Sequence, residues 1–137
     1  MNLARLLLER FRWFDDALRV RLAARGLPEL TTAESMVFPY LDDGGTRPAE
    51  LARRLGITRQ SAQVLVRGLQ RKGLVDLIDD PDDGRSKLIT LTASGLRSVP
   101  IALETFDELE RELAARIGAQ NMAALRRALE IDWGDTP

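Results

Sequence analysis

The chain has 137 residues, of which 45% are hydrophobic and 30% are charged, and its formal net charge at pH 7 is -1. This length and composition suit one globular domain that buries its own core. The chain contains no cysteine and no histidine, which excludes disulfides, thiol redox sensing, a Ser-His-Asp triad and metal sites built from these residues. No metal and no cofactor are therefore expected. The apolar run at 6–8 is too short for a signal peptide or a membrane helix, so a cytoplasmic location is expected.

Two helices are predicted in the first forty residues. A stripe of apolar residues at helical spacing predicts a helix over residues 3–25, which Gly26 and Pro28 end. The stripe consists of Leu3, Leu7, Phe11, Phe14, Leu18 and Leu22. Thr31 or Thr32 can cap a second helix that runs to about Leu41, with a kink at Pro39 in its last turn.

Two further helices are predicted on either side of a tight turn. Pro48 suits the first turn of the earlier one, which ends at Gly56. Thr58 is a credible N-cap for the later one, over 59–72, and Gly73 is its expected C-cap. The apolar face of this later helix consists of Ala62, Leu65, Val66 and Leu69. Two helices joined in this way allow the second to stand out from the body and enter a major groove.

The hydrophobic period then changes to that of strands. Residues 74–78 and 87–91 predict two short strands, and residues 79–86, rich in Asp, Pro and Gly, predict the loop between them. A long helix is expected after Thr92 and ends at Gly118, and a last helix follows it. The order of elements predicts a mainly α fold with a small β-hairpin wing, which is a winged helix-turn-helix with additional helices at both ends.

Positive charge is concentrated in the middle of the chain. Residues 47–75 contain seven basic residues and a single acidic one, Glu50, although the chain as a whole is slightly acidic. A basic segment within an otherwise acidic sequence is typical of a phosphate-binding surface, although a solvated charged face would give the same pattern.

The outward face of the predicted helix over 59–72 is more informative than its charge. This face consists of Arg59, Gln60, Gln63, Arg67, Gln70 and Arg71. Arginine can donate two hydrogen bonds to guanine and glutamine can pair with adenine, whereas a helix that is only solvated more often mixes Glu and Lys. The face therefore favours contact with DNA.

The chain resembles the MarR family of winged-helix regulators over nearly its whole length. The resemblance is carried by residues 48–58, Leu65, Leu69 and 72–75. It is strongest over residues 80–95, which are the wing and the start of the helix that follows it. The resemblance implies a homodimer built by the first helix and the last two, with residues 1–25 and 96–133 as dimerisation helices and residues 30–95 as the DNA-binding part. It also implies that Arg85 enters the minor groove, that Asp83 braces arginines, and that a small phenolic or aromatic ligand binds between the dimer arm and the reading head.

The chain departs from the family pattern at three positions. Val64 and Gly68 stand where the family usually has Arg or Lys, and Asp82 stands in place of a second wing arginine. Val64 is therefore expected to lose a phosphate or base contact, although it could touch a thymine methyl. Gly68 is expected to destabilise the helix by about 1 kcal/mol relative to alanine, so that the second half of the reading helix binds less tightly or differently.

These patterns together predict a sequence-specific DNA-binding regulator, a repressor that binds a palindromic operator as a homodimer and is released by a small-molecule ligand. The predicted DNA contacts are Thr58 and Ser61 to phosphate, Arg59, Gln60, Gln63 and Arg67 in the major groove, and Arg85 in the minor groove. The candidate ligand contacts are Trp13, Phe14, Phe38 and Tyr40, although aromatic residues at helical spacing more often belong to the core. The alternative is a winged-helix module that binds protein instead of DNA, which Val64, Gly68 and the acidic pI favour. An enzyme is not expected, because no nucleophile–base pair is visible.

Overall fold

The computed structural model describes all 137 residues as a helical chain with one antiparallel hairpin, which agrees with the predicted fold class. In chain order its elements are α1 (Leu3–Ala24), α2 (Thr32–Ser35), a 3₁₀ turn (Phe38–Tyr40), α3 (Pro48–Leu55), α4 (Arg59–Arg71), β1 (Val75–Asp80), β2 (Asp83–Leu91), α5 (Ala93–Ile117) and α6 (Ala119–Glu130). None of the helices combines the length and the apolar character that a membrane span requires.

The two longest helices, α1 and α5, pack against each other. Arg21 Nη2 lies 2.6 Å from Glu112 Oε2, and Arg25 Nη2 lies 3.0 Å from Glu108 Oε1, so the helices run antiparallel. Their contact buries little of the apolar stripe on α1, in which Leu18 is the only buried member. No residue of α6 is buried. The helices at the two ends of the chain therefore leave apolar surface uncovered.

A separate core holds the central helices and the hairpin together. It consists of Val37, Leu51, Val66, Leu69, Leu74, Val75 and Ile89, all buried. Burying an aliphatic side chain of this size contributes about 1.5–3 kcal/mol. Because α3, α4 and both strands contribute to this core, it fixes α4 relative to the wing.

The predicted helix from Thr31 to Leu41 is much shorter than expected. Its N-terminus forms as predicted, because the Thr31 side chain accepts from the Glu34 N–H and the Glu34 side chain accepts from the Thr31 N–H. The α-helix ends at Ser35, and Pro39 lies in the following 3₁₀ turn. Proline has no N–H for the carbonyl four residues earlier, so it interrupts the helix more strongly than a kink would.

The wing strands are longer than predicted, and the predicted loop over 79–86 is wrong. β1 continues to Asp80 and β2 begins at Asp83, so only two residues form the tip. The register runs regularly from Val75 opposite Leu91 to Asp79 opposite Lys87 and then jumps to Asp80 opposite Asp83. Residues 84–86 consequently have no partner on β1 and form a bulge in β2.

One residue outside the two strands pairs with β2 as a third strand would. Thr46 N donates to Ile89 O at 3.0 Å, and Ile89 N donates to Thr46 O at 2.8 Å. This bridge ties β2 to the residues that enter α3.

Candidate nucleic-acid interface

The turn between α3 and α4 presents the N-terminus of α4 to solvent. Gly56 has a φ of 68°, which is left-handed and costs glycine no steric strain. Ile57 N then donates to Ala52 O at 3.0 Å and closes the turn. The chain can therefore reverse direction within three residues and begin α4 at Arg59.

The residues of α4 divide cleanly between the core and the solvent. Ala62, Val66 and Leu69 are buried, and Leu65 packs at the edge of the core. All six residues predicted to contact DNA around this helix are exposed: Thr58, Arg59, Gln60, Ser61, Gln63 and Arg67. The structure thus brings them together on one face, and α4 contains no acidic residue that would repel phosphate.

Two of these residues also build the N-terminal cap of α4. Thr58 Oγ1 accepts from Ser61 N at 3.0 Å and donates to Ser61 Oγ at 2.9 Å. The Thr58 hydroxyl proton is therefore used inside the cap, while the Ser61 hydroxyl keeps its own proton. The first backbone N–H groups of a helix have no intrahelical partner, so this end is well suited to an anion.

Most of the positive charge in residues 47–75 is neutralised within the chain. Four of the seven basic residues form ion pairs, namely Arg47 with Asp80, Arg53 with Glu50, Arg54 with Glu50 and Asp42, and Lys72 with Glu34. Arg59, Arg67 and Arg71, all on α4, take part in no ion pair. The unpaired positive charge of residues 47–75 therefore lies on α4 alone and is not spread over the whole segment.

Arg85 lies exposed near the tip of the wing, as predicted. Asp83 shapes the backbone there, because its Oδ1 accepts from Arg85 N at 3.1 Å and its Oδ2 accepts from Ser86 Oγ at 3.0 Å. Asp83 pairs with no guanidinium, so the bracing of arginines that the resemblance implied does not occur at this residue.

Asp80 takes that bracing role instead. Arg47 Nη2 donates to Asp80 Oδ2 at 2.9 Å, and Asp82 N donates to Asp80 Oδ1 at 2.9 Å. The backbone hydrogen bond from Asp82 and the guanidinium of Arg47 hold the pKa of Asp80 below its usual value. The wing tip is thereby tied to the residue just before α3, a contact that no local sequence pattern indicated.

Gly68 faces the protein interior. It is buried, and a Cβ built at this position would lie 2.5 Å from Glu34 Oε2. Position 68 therefore lies on the inward side of α4, and a larger residue there would require the Glu34 side chain to shift. Val64, in contrast, is 54% exposed on the outward face of α4.

The four aromatic residues predicted to contact a ligand fall into two groups. The rings of Trp13 and Phe14 meet edge to face with centroids 4.9 Å apart, and the guanidinium of Arg116 lies 5.7 Å from the Trp13 ring centre. Phe38 packs against the core of the central helices, and Tyr40 is exposed in the 3₁₀ turn.

Two surface cavities adjoin these helices. A cavity of about 210 Å³ is lined by apolar side chains of α1, α5 and α6, including Phe14, Leu113 and Leu125. A larger one of about 510 Å³ lies between α1, the residues before α2 and the end of α4, and its wall carries Asp16, Arg19, Glu29 and Lys72. Phe14 is the only one of the four predicted aromatic residues that lines either cavity.

The chain is similar in sequence to one family of known proteins. Residues 29–86 match the sequence model of the MarR family. A protein of Mycobacterium tuberculosis described as uncharacterized is 30% identical over 99 residues, which are 72% of this chain and 69% of that protein.

Solved structures resemble almost the whole chain. The reduced form of MarR from E. coli has a TM-score of 0.79 at 23% identity and covers 95% of each chain. The S. aureus MepR-DNA complex has a TM-score of 0.66 at 25% identity, over 93% of this chain and 92% of the other. These similarities confirm the predicted winged-helix fold, including the helices at both ends.

Proposed function

The chain belongs to the MarR family of winged-helix DNA-binding transcriptional regulators, and from this premise we propose that it is a repressor that binds a palindromic operator as a homodimer. The observation that carries the proposal is the exposed face of α4, which has free arginines and glutamines and no acidic residue. The similarity to a MepR chain that was solved with DNA supports the same partner.

Each predicted contact has a distinct role in this proposal. The major groove is contacted, at base edges or backbone, by Arg59, Gln60, Gln63 and Arg67. Arg85 enters the minor groove. A backbone phosphate is contacted by Thr58 and Ser61 together with the free N–H groups of the first turn, and Thr58 also caps the helix. We also propose a cytoplasmic location, because a regulator of this kind acts where the DNA is.

The proposed dimer uses the helices at both ends of the chain. Residues 1–25 and 96–133 form the dimerisation arm, and residues 30–95 form the reading head. The apolar surface that α6 leaves uncovered supports this division, since Leu125 and Leu129 are 40% and 51% exposed. A two-fold arrangement would place two copies of α4 in major grooves about one helical turn apart.

A small aromatic effector is also proposed, with Trp13, Phe14, Phe38 and Tyr40 as its contacts. Trp13 and Phe14 lie on the arm, whereas Phe38 belongs to the reading head. A ligand that touches both groups would change how the head is held on the arm, which is how binding could release the operator.

Selection of DNA from a random pool tests the central proposal. The wild-type chain is expected to enrich an inverted repeat with half-sites about 10 bp apart. Gln63→Ala is expected to relax the preference at one position in each half-site by about 1–3 kcal/mol, because glutamine is lost as a base contact. Gln120→Ala, which removes an exposed glutamine from α6, is the matched control and should enrich the wild-type sequence.

Two results would contradict the proposal. If the wild-type chain enriches no sequence and does not retard a fragment from its own upstream region, the protein-binding alternative is favoured. If Gln63→Ala and Arg59→Ala both keep the wild-type preference across operators with single base changes, α4 does not read bases through this face.

A further inference from the structure

The short helix α2 lies between the dimerisation arm and α4, the proposed recognition helix, and it is hydrogen-bonded to both. It has only four residues, too few to be stable alone. A buried carboxylate holds it on each side: Asp15 of α1 on one side and its own Glu34 on the other, each 5% exposed.

On the arm side, hydroxyl groups of α2 bind a carboxylate of α1. Thr32 Oγ1 donates to Asp15 Oδ2 at 2.8 Å, and Ser35 Oγ donates to Asp15 Oδ1 at 2.7 Å. Arg19 Nε donates to the same Oδ2 at 3.0 Å. Both oxygens of Asp15 are thus satisfied, and two of its three donors come from α2.

On the other side, Glu34 of α2 binds the end of α4. Lys72 Nζ lies 2.5 Å from Glu34 Oε1, and Thr31 N donates to the same oxygen at 2.9 Å. Glu34 Oε2 lies 2.5 Å from where the Cβ of a larger residue 68 would stand, so such a residue would displace the Glu34 carboxylate from its present position. Glycine inside a helix costs about 1 kcal/mol relative to alanine.

We propose that α2 transmits the position of the dimerisation arm to the recognition helix through Asp15 and Glu34. The contacts form a series: α1 holds α2 through Asp15, and α2 holds α4 through Glu34. Apolar side chains could join these helices without the cost of burying two charges, but hydrogen-bonded carboxylates fix direction as well as distance. Asp15 and Glu34 are therefore positioning residues that set the angle at which α4 is presented, and the operator readout below rests on the proposed function.

A measurement without DNA tests the series directly. The chain has no cysteine, so Arg12→Cys on α1 and Arg71→Cys on α4 can carry a pair of nitroxide labels, with excess unlabelled chain to isolate one labelled protomer. Wild type should give one narrow distance distribution. Asp15→Ala and Glu34→Ala should each broaden it, and Asp42→Ala, which removes an ion pair elsewhere in the head, should not.

The double variant tests whether Asp15 and Glu34 act one after the other in a single chain of contacts or as two independent contacts. Once either link is broken, breaking the other should add nothing, so Asp15→Ala/Glu34→Ala should be no broader than the single variants. Asp15→Asn and Glu34→Gln, which keep side-chain volume, replace any alanine variant that no longer unfolds cooperatively. Wild-type widths in the single variants, or broadening that adds in the double variant, would overturn the proposal.

Operator spacing gives a second readout. Wild type should bind an operator with 2 bp inserted between its half-sites at least about tenfold more weakly, a difference of about 1.4 kcal/mol. Glu34→Ala and Lys72→Met should lose this discrimination but keep their affinity for one half-site, and Lys72→Arg should retain it. Unchanged discrimination in Glu34→Ala would overturn the proposal, whereas failure of the wild type to bind DNA would overturn the proposed function and leave the label distances to decide the inference.

Discussion

Glu34 shows how one side chain satisfies several constraints at once. It closes the cap of α2, pairs with Lys72 and fills the space beside Gly68. Burial raises the pKa of Glu34, but the hydrogen bonds from Lys72 and Thr31 outweigh burial, so that the pKa lies below its usual value. The ionised form of Glu34 is therefore the one that the fold stabilises.

Glu34→Gln should consequently destabilise the chain in a pH-dependent way. Because the pKa of Glu34 is lower in the folded state, its contribution is fully present above the pKa of an unfolded glutamate, about 4.3, and is lost as pH falls through the folded value. The difference in unfolding free energy between wild type and variant should be constant near neutral pH and shrink below about pH 4.3. Urea unfolding between pH 7 and pH 3 measures it, with Asp107→Asn as the control for loss of an exposed carboxylate. A difference that grows toward low pH would contradict this assignment.

Arg85 is the predicted minor-groove residue. The bonds that Asp83 makes to Arg85 N and Ser86 Oγ hold the backbone of the bulge, while the Arg85 side chain stays exposed. Arg85→Ala should weaken operator binding with little change in sequence preference beyond A·T content, because the minor groove distinguishes mainly A·T from G·C. Binding isotherms on operators with altered flanking A·T content measure both effects. Lys87→Ala, which removes a wing charge paired with Asp79, is the control, and unchanged affinity in Arg85→Ala at physiological salt would count against the assignment.

At the scale of elements, the distribution of free charge limits how strongly salt can affect binding. Four arginines of each protomer remain unpaired around the proposed interface, namely Arg59, Arg67, Arg71 and Arg85. If all of them in a dimer contact phosphate, the slope of log K against log salt is at most about -7, since each contact contributes about -0.9. Titrations from 50 to 300 mM salt measure this slope. A slope of about -14 would show that the paired basic residues also leave their carboxylates to bind DNA.

Helices whose caps and apolar stripes lie within their own sequence were predicted correctly from that sequence. The bounds of α1, α3 and α4 agree with expectation within about two residues, because their caps and apolar stripes lie within the elements themselves. The face of α4 was predictable for the same reason. The extended wing was not, because residues 79–86 have the composition of a loop and depend on contacts such as the pair between Arg47 and Asp80.

Sequence distance also explains what was missed at the site. The partners that neutralise the basic segment lie 12 residues away for Arg54 and Asp42, and 38 residues away for Lys72 and Glu34. A count of charges in a window cannot include such partners. The burial of Gly68 could not be predicted from the local sequence either, because the Glu34 carboxylate that lies beside it belongs to α2.

At the scale of the whole molecule, the helices at the two ends of the chain leave apolar surface exposed. Only 18 of 137 residues are buried, and none of them lies in α6. The apolar cavity lined by Phe14, Leu113 and Leu125 is open between α1, α5 and α6, with the ion pair of Arg126 and Glu110 at its rim. Large exposed apolar surface of this kind marks an interaction site, and a second copy of the chain carries a matching surface.

A charge placed in this surface should therefore separate the dimer and abolish operator binding. Leu125→Glu would bury an unpaired carboxylate in an interface of the size that obligate dimers need, above about 2,000 Å² in total. Sedimentation should show a monomer or an unfolded chain, and the affinity for the full operator should fall with the loss of dimer. Met36→Glu is the matched control for the sedimentation measurement, because Met36 is also 40% exposed but lies on the reading head outside the arm. It is not a control for operator affinity, since Met36 caps α2. A wild-type chain that sediments as a stable monomer at micromolar concentration, yet binds one half-site tightly, would contradict the dimer model.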